Sequence, residues 1–335
     1  MEAVIIDQPG SVRVAEVEPP APAAGEVRLR VELVGICATD VHILHGSFPT
    51  AGYPITPGHE AVGVVESLGA GVAELAIGDR VVIDPGVPCG VCRLCRQGRL
   101  NLCEHRNAIG ITLTGASAEL VTVPAPNCHR VLPGTEPRAA VLTEPLACVV
   151  HAFDLVRDPA GADVLVYGGG TIGLLAAFVA RSLGAASVSV IELDAARAAK
   201  AARAGFSSAA SADALPQQDW GLVVDATGAV PAIRDGVTRL QRGGTLLQIG
   251  VARPEAILEL HPYEVFQKEL TITGSLTTRY SFPRALDLLA RGAVDADVIL
   301  GEPFPLTQYA EAIDSAGRGE TLKVTIAPGA SRSAE

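Results

Sequence analysis

The chain has 335 residues, of which 48% are apolar, and a net charge of −11; that length suggests two domains, each able to bury a core. The acidic balance comes without a basic run and argues against nucleic acid and anionic membrane as partners. No stretch approaches the ~20 apolar residues of a membrane helix, and Met1-Glu-Ala-Val-Ile-Ile-Asp7 has neither the charged leader nor the apolar core of a signal peptide.

The first 150 residues are broken by Gly and Pro every few positions. Short β-rich runs lie between the breaks, at Val27–Leu33, Ala61–Leu68, Arg80–Ile83 and Glu119–Val123. This predicts an irregular all-β domain with functional loops. Three candidate elements interrupt it: Gly35-Ile-Cys37-Ala-Thr39-Asp40-Val-His42, Pro57-Gly58-His59-Glu60 and Thr143-Glu144-Pro-Leu. Taken singly, Cys37 reads as a core thiol, His59 as a loop histidine and Glu144 as a helix-start acid. Together, thiolate, imidazole and carboxylate make a zinc site with a position left for water or substrate.

Between the second and third elements comes Cys89-Gly-Val-Cys92-Arg-Leu-Cys95, with Cys103 after seven further residues. Thiolates at this spacing can close on one tetrahedral cation, and zinc is the usual occupant. Such a site holds a loop and leaves no position for chemistry. Two disulfides or a redox pair are the alternatives. An odd total of seven cysteines and the absence of an export signal favour metal thiolates and a cytoplasmic location.

After Glu144-Pro-Leu146 the pattern changes. Asp163-Val-Leu-Val-Tyr167 is a buried-strand run. Gly168-Gly-Gly170-Thr171-Ile172-Gly173 follows it, then a helix to Leu183. Further elements are a strand at Ser187–Ile191, a helix at Ala195–Ala204, and strands at Leu222–Asp225, Thr245–Ile249 and Leu270–Thr273. Strands alternating with such helices predict a doubly wound parallel sheet. The glycines let backbone approach a pyrophosphate at the positive end of a helix. Glu192, at the end of the second strand, is placed to hold ribose hydroxyls and to repel a 2′-phosphate, which favours NAD. Asp194 competes for that role, and Arg197 would favour NADP. A helix near Pro283–Ala290 and a strand near Leu322–Ile326 close the chain, and the tail Pro328–Glu335 is expected to be disordered.

In this order, the four-cysteine lobe, the three ligand elements and the glycine turn resemble the zinc-dependent medium-chain dehydrogenase/reductase family over nearly the whole chain. The resemblance implies a GroES-like catalytic domain over 1–147 and 286–335 and a Rossmann domain over 148–285. It implies a catalytic zinc on Cys37, His59 and a third ligand, and a structural zinc on Cys89, Cys92, Cys95 and Cys103. It implies a proton relay from Thr39 through a cofactor ribose hydroxyl to His42, with Asp40 orienting His59. Glu144, where classical alcohol dehydrogenases present a cysteine, resembles the sorbitol, xylitol and threonine dehydrogenase branch, in which Glu60 or Glu144 completes the shell. Cys148 is a weaker alternative ligand, and Cys128 and His151 read as packing or surface residues. The branch's late arginine is displaced here to Arg279, with Thr277 at the matching offset, so Arg279 is left unassigned.

The expected activity is NAD-dependent oxidation of a secondary hydroxyl in a polyol or cyclitol, by a homodimer or homotetramer. The rivals are a threonine dehydrogenase-like enzyme, a simple alcohol or aldehyde reductase, and a nucleotide-binding protein without catalysis.

Overall fold

The strand Glu26–Gly35 is the centre of the first half of the chain. Val27, Leu29 and Val31 are 0–3% exposed and alternate with more exposed neighbours, the period of a strand with one face on a core. In the computed structural model, which describes residues 1–48, 52–319 and 321–329, this strand pairs antiparallel with Glu60–Leu68, Leu120–Pro124 and Thr325–Ala327. Arg80–Ile83 adds to Glu60–Leu68, Cys128–Arg130 adds to Arg80–Ile83, and Phe304–Pro305 pairs parallel with Thr325–Ala327. A separate hairpin joins Glu2–Gln8 to Ser11–Glu16.

This unit comprises Met1–Glu144, Phe282–Ala290 and the chain from Leu300 onward. It is not purely β. The helix Ala38–Leu44 starts at Cys37, and Asp40 Oδ2 accepts the Cys37 amide at 2.8 Å. The helix Tyr309–Arg318 buries Tyr309, Ala312 and Ile313. Seven residues are too few for a helical period to stand out in Ala38–Leu44.

The second unit is Pro145–Ser281 with Arg291–Ile299. Its edges fall inside or beside the helices Thr143–Phe153 and Phe282–Ala290. Its six strands run parallel in the order Ser207–Ala209, Ser187–Ile191, Asp163–Tyr167, Trp220–Asp225, Leu240–Gln248, Thr271–Gly274. Val164, Leu165 and Val166 are fully buried, as in a strand covered on both faces. The helix Thr171–Ser182 buries every residue from Gly173 to Ala180, which its all-round apolar sequence requires. Gly173 permits the close approach of turn and helix, since a Cβ there would stand 1.7 Å from Gly168 O. No helix among the described residues is long and apolar enough to cross a membrane.

The loop Ser47–Tyr53 and the tail Pro328–Glu335 lie partly outside the described residues.

Candidate active site

Asp40 stitches two sequence motifs together. One carboxylate oxygen accepts the Cys37 amide at 2.8 Å and the other the Gly58 amide at 3.2 Å. It is 1% exposed. Cys37, at the start of a helix, is thereby brought to His59 and Glu60, at the start of the strand Glu60–Leu68. Gly35 and Glu60 are cross-strand partners. A Cβ on Gly35 would stand 2.1 Å from Glu60 Oε2, so the carboxylate occupies space that glycine alone leaves.

One potential ligand atom from each of Cys37, His59 and Glu60 lies within 4.8 Å of the others. Two of these side chains have buried atoms without a hydrogen-bond partner, His59 Nδ1 and Glu60 Oε2. His59 Nδ1 lies 3.7 Å from Asp40 Oδ1, beyond hydrogen-bond reach. A buried polar atom left in this way asks for an occupant; Glu60 Oε2 has a cation beside it already, the Lys323 ammonium at 2.6 Å, whereas His59 Nδ1 has none within hydrogen-bond reach. Sulfur, nitrogen and carboxylate oxygen are the donor set of a catalytic zinc, so the residues fit that ion. Burial alone would depress His59, but the Asp40 carboxylate and the Cys37 sulfur outweigh it and hold its pKa well above the ordinary value.

Lys323 is a member of this cluster that sequence reasoning missed. It is 5% exposed. Its Nζ lies 2.6 Å from Glu60 Oε2 and 2.7 Å from Oε1, donating a hydrogen bond to Oε1 and another, at 3.1 Å, to Ile36 O. The Oε2 contact is an ion pair without hydrogen-bond alignment. Burial works against the ammonium, yet the charges of Glu60, Cys37 and Glu144 and the Glu60 hydrogen bond raise its pKa. The one signal in the sequence is a lone cation in the apolar run Leu322-Lys-Val-Thr-Ile-Ala327.

Glu144 is half-buried and is not part of the three-residue ligand group, although its charge reaches Lys323. Cys148, Cys128 and His151 belong to neither ligand group found among the described residues. Burial, helped by Glu74, pushes the Cys128 thiol up to about 12. His151 is depressed by burial and by the nearby Arg279 charge. Thr39 Oγ1 lies 3.7 Å from Cys37 Sγ. His42, on the next turn of the helix, is exposed and has Nδ1 3.0 Å from Ser47 Oγ.

The four-cysteine segment forms the second ligand group, with all four sulfurs within 4.8 Å. Cys92 Sγ is 3.5 Å from Cys95 Sγ and 4.0 Å from Cys103 Sγ. These separations are far beyond the ~2.05 Å of a disulfide. They match the ~3.8 Å edge of a tetrahedron built on zinc–sulfur bonds of ~2.3 Å. Amide N–H groups turn onto the sulfurs: Cys89 N onto Cys103 at 3.3 Å, Cys92 N onto Cys89 at 3.4 Å and Cys95 N onto Cys92 at 3.5 Å. Such donors stabilise thiolate. The amides of Cys95 and Glu104 bring Cys92 down to about 6.

In the second unit, Glu192 closes the turn Gly168–Gly173. Its Oε2 accepts the Gly169 amide at 2.8 Å, and its Oε1 accepts the Asp194 amide at 2.8 Å and Arg197 Nη2 at 2.9 Å. Burial would raise its pKa, but Arg197 and the two amides hold it below the ordinary carboxylate value. Glu192 and Arg197, which the sequence sets as alternatives, are thus an ion pair. Asp194 caps the next helix, accepting the Arg197 amide at 2.9 Å.

Comparison with known proteins agrees with this arrangement. Residues 23–133 match the family model of the alcohol dehydrogenase GroES-like domain, and residues 171–291 that of the zinc-binding dehydrogenases. The chain is 34% identical over 316 residues to D-altritol 5-dehydrogenase of Agrobacterium fabrum, covering 92% of this chain and 94% of that protein. It is 32% identical to the sorbitol dehydrogenase of Halalkalibacterium halodurans, with 98% and 99% covered. A zinc-binding dehydrogenase of Sinorhizobium meliloti bound to NADP superposes with a TM-score of 0.93 at 32% identity, covering 98% of this chain and 99% of that one. A short chain alcohol dehydrogenase of Escherichia coli complexed with NADH gives 0.90 at 28%, with the same coverage. The chain belongs to the zinc-dependent medium-chain alcohol dehydrogenase family.

Proposed function

We propose that the chain oxidises a secondary hydroxyl of a polyol or cyclitol-like substrate, passing the carbinol hydride to NAD and releasing a proton. The observation that carries this reading is the Cys37–His59–Glu60 group, half-buried at Cys37 and buried at the other two, with His59 Nδ1 and Glu60 Oε2 lacking hydrogen bonds. The similarity to dehydrogenases named for altritol and sorbitol supports a sugar alcohol as substrate.

On this reading Cys37, His59 and Glu60 hold one zinc, Glu144 stands by as a further carboxylate, and the four-cysteine lobe holds a second zinc. Bound at the mixed site, zinc supplies Lewis acidity that makes a hydroxyl proton easier to remove. Thr39, beside Cys37, starts the proton's path and the exposed His42 passes it to solvent, while Asp40 keeps the two ligand segments in register. Thr39→Val keeps the shape and removes the hydroxyl. Oxidation should then fall by on the order of a hundredfold, the size of a general acid–base contribution. Near-normal turnover in that variant would take Thr39 out of the path.

Glu192, kept ionised, favours ribose hydroxyls over a 2′-phosphate, and Arg197 offsets part of that preference. The expected result is a higher kcat/KM with NAD than with NADP; the reverse order would make Arg197 the deciding residue. A homodimer or homotetramer is consistent with the exposed edge strand Thr271–Gly274 and with Tyr263 and Phe266, 68% and 78% exposed, on the adjoining helix. Light scattering tests that: a monomer mass would remove it. The reaction class itself is tested with a polyol deuterated at the oxidised carbon. Deuterium should appear on the reduced nicotinamide, and label lost to water would contradict hydride transfer.

A further inference from the structure

The Glu60 carboxylate has two claimants. A cation at the Cys37–His59–Glu60 group would draw on Oε2, the oxygen without a hydrogen bond. Lys323 Nζ holds Oε1 at 2.7 Å and sits 2.6 Å from Oε2. Lys323 is also anchored independently of Glu60. It donates to Ile36 O at 3.1 Å, one residue before Cys37, and its backbone forms an isolated parallel bridge with Leu300. The ammonium is therefore held by the backbone that carries Cys37 as well as by the Glu60 carboxylate. Both groups are buried, Glu60 at 1% and Lys323 at 5% exposure, so solvent screens the pair little.

We propose that Lys323 is a positioning residue that restrains Glu60, limiting how far its carboxylate can close on a metal at Cys37 and His59 and so keeping one coordination position open for substrate. The inference rests on the reading of this cluster as the catalytic metal site. Three effects act in the same direction. The ammonium competes with the cation for the same carboxylate. Its charge repels the cation across a few ångströms of poorly screened interior. And the ion pair stabilises the metal-free cluster. A merely structural ion pair would give a different signature, because its loss would loosen the cluster and weaken the metal.

The test uses the full-length zinc protein and a chelator competition that resolves the two metal sites, with the four-cysteine site as internal reference. Lys323→Met should hold the mixed-site zinc more tightly than wild type, by on the order of tenfold, the size by which groups just outside a ligand shell move metal affinity. Cobalt placed at that site should show altered visible bands, and KM for the alcohol should rise more than kcat falls, since substrate then competes with a freed carboxylate. Lys323→Gln keeps a donor for Ile36 O and loses the charge, so it should shift affinity in the same direction. In the neutral Glu60→Gln/Lys323→Met pair, which leaves no lone buried charge, the tightening should vanish relative to Glu60→Gln. If the methionine variant does not fold, the glutamine variant alone decides the direction. Unchanged or weaker zinc binding in Lys323→Met or Lys323→Gln overturns the proposal. Wild-type protein with no zinc at the mixed site would instead overturn the metal-site reading on which it stands.

Discussion

Cys37→Ser is expected to reduce oxidation to background while leaving the fold in place. The backbone at residue 37 does the structural work: its amide bonds Asp40 at 2.8 Å, and residue 37 caps the helix Ala38–Leu44. Serine is among the preferred residues at a helix start, so these contacts survive the exchange. What is lost is a thiolate, the soft donor that a hydroxyl cannot replace at neutral pH. Zinc content should fall by one per chain and the melting temperature should change by only a few degrees. A serine variant with full turnover would show that the chemistry lies elsewhere.

Cys95→Ser should fail in the opposite way. Cys95 is the most buried thiol of the lobe, 7% exposed, and burial with the neighbouring thiols raises its pKa to about 12. The lobe has little else to hold it: a four-residue helix at Arg93–Arg96 and a three-residue turn at Leu100–Leu102, both far below the length at which a helix is stable alone. Structural zinc in small domains contributes on the order of 10 kcal/mol of folding free energy, comparable with the whole stability of a domain. Losing it should unravel the segment Cys89–Cys103 and bring down folding or assembly. Limited proteolysis should cut there in the variant and not in wild type. A lobe that stays resistant, with wild-type zinc content, would rule out the four-thiolate site.

Much of this was legible because the signals are local. The cysteine spacing and the glycine turn each lie within about fifteen residues, and the four sulfurs do converge. The alternation of strand and helix after residue 163 is equally local, and the six-stranded parallel sheet follows it. Relations across the chain were not legible. Asp40 is readable as an acid beside Cys37, but its bond to Gly58, eighteen residues on, depends on how two loops fold together. Lys323 and Glu60 are 263 residues apart, and no period or motif links them. The edge at Glu144/Pro145 falls where the sequence pattern changes, although inside the helix Thr143–Phe153, whereas the edges on either side of Phe282–Ala290 fall beside a helix and not where the sequence placed the boundary. The sequence also sets Glu192 and Arg197 as alternatives, whereas in space they are partners at 2.9 Å.

The central claim is that a mixed-ligand zinc in this chain serves the oxidation of polyols. The most direct measurement is the initial rate of NAD reduction by zinc-assayed protein across sugar alcohols, vicinal diols, threonine and monohydric alcohols of matched length. A carboxylate ligand gives the metal less charge than a thiolate and leaves it readier to accept a second substrate oxygen, which a vicinal diol supplies. Sugar alcohols and vicinal diols should therefore be oxidised faster than any monohydric alcohol of equal length. Faster oxidation of ethanol-like alcohols than of every polyol, or no reduction of NAD or NADP by any alcohol with zinc fully present, would contradict the account.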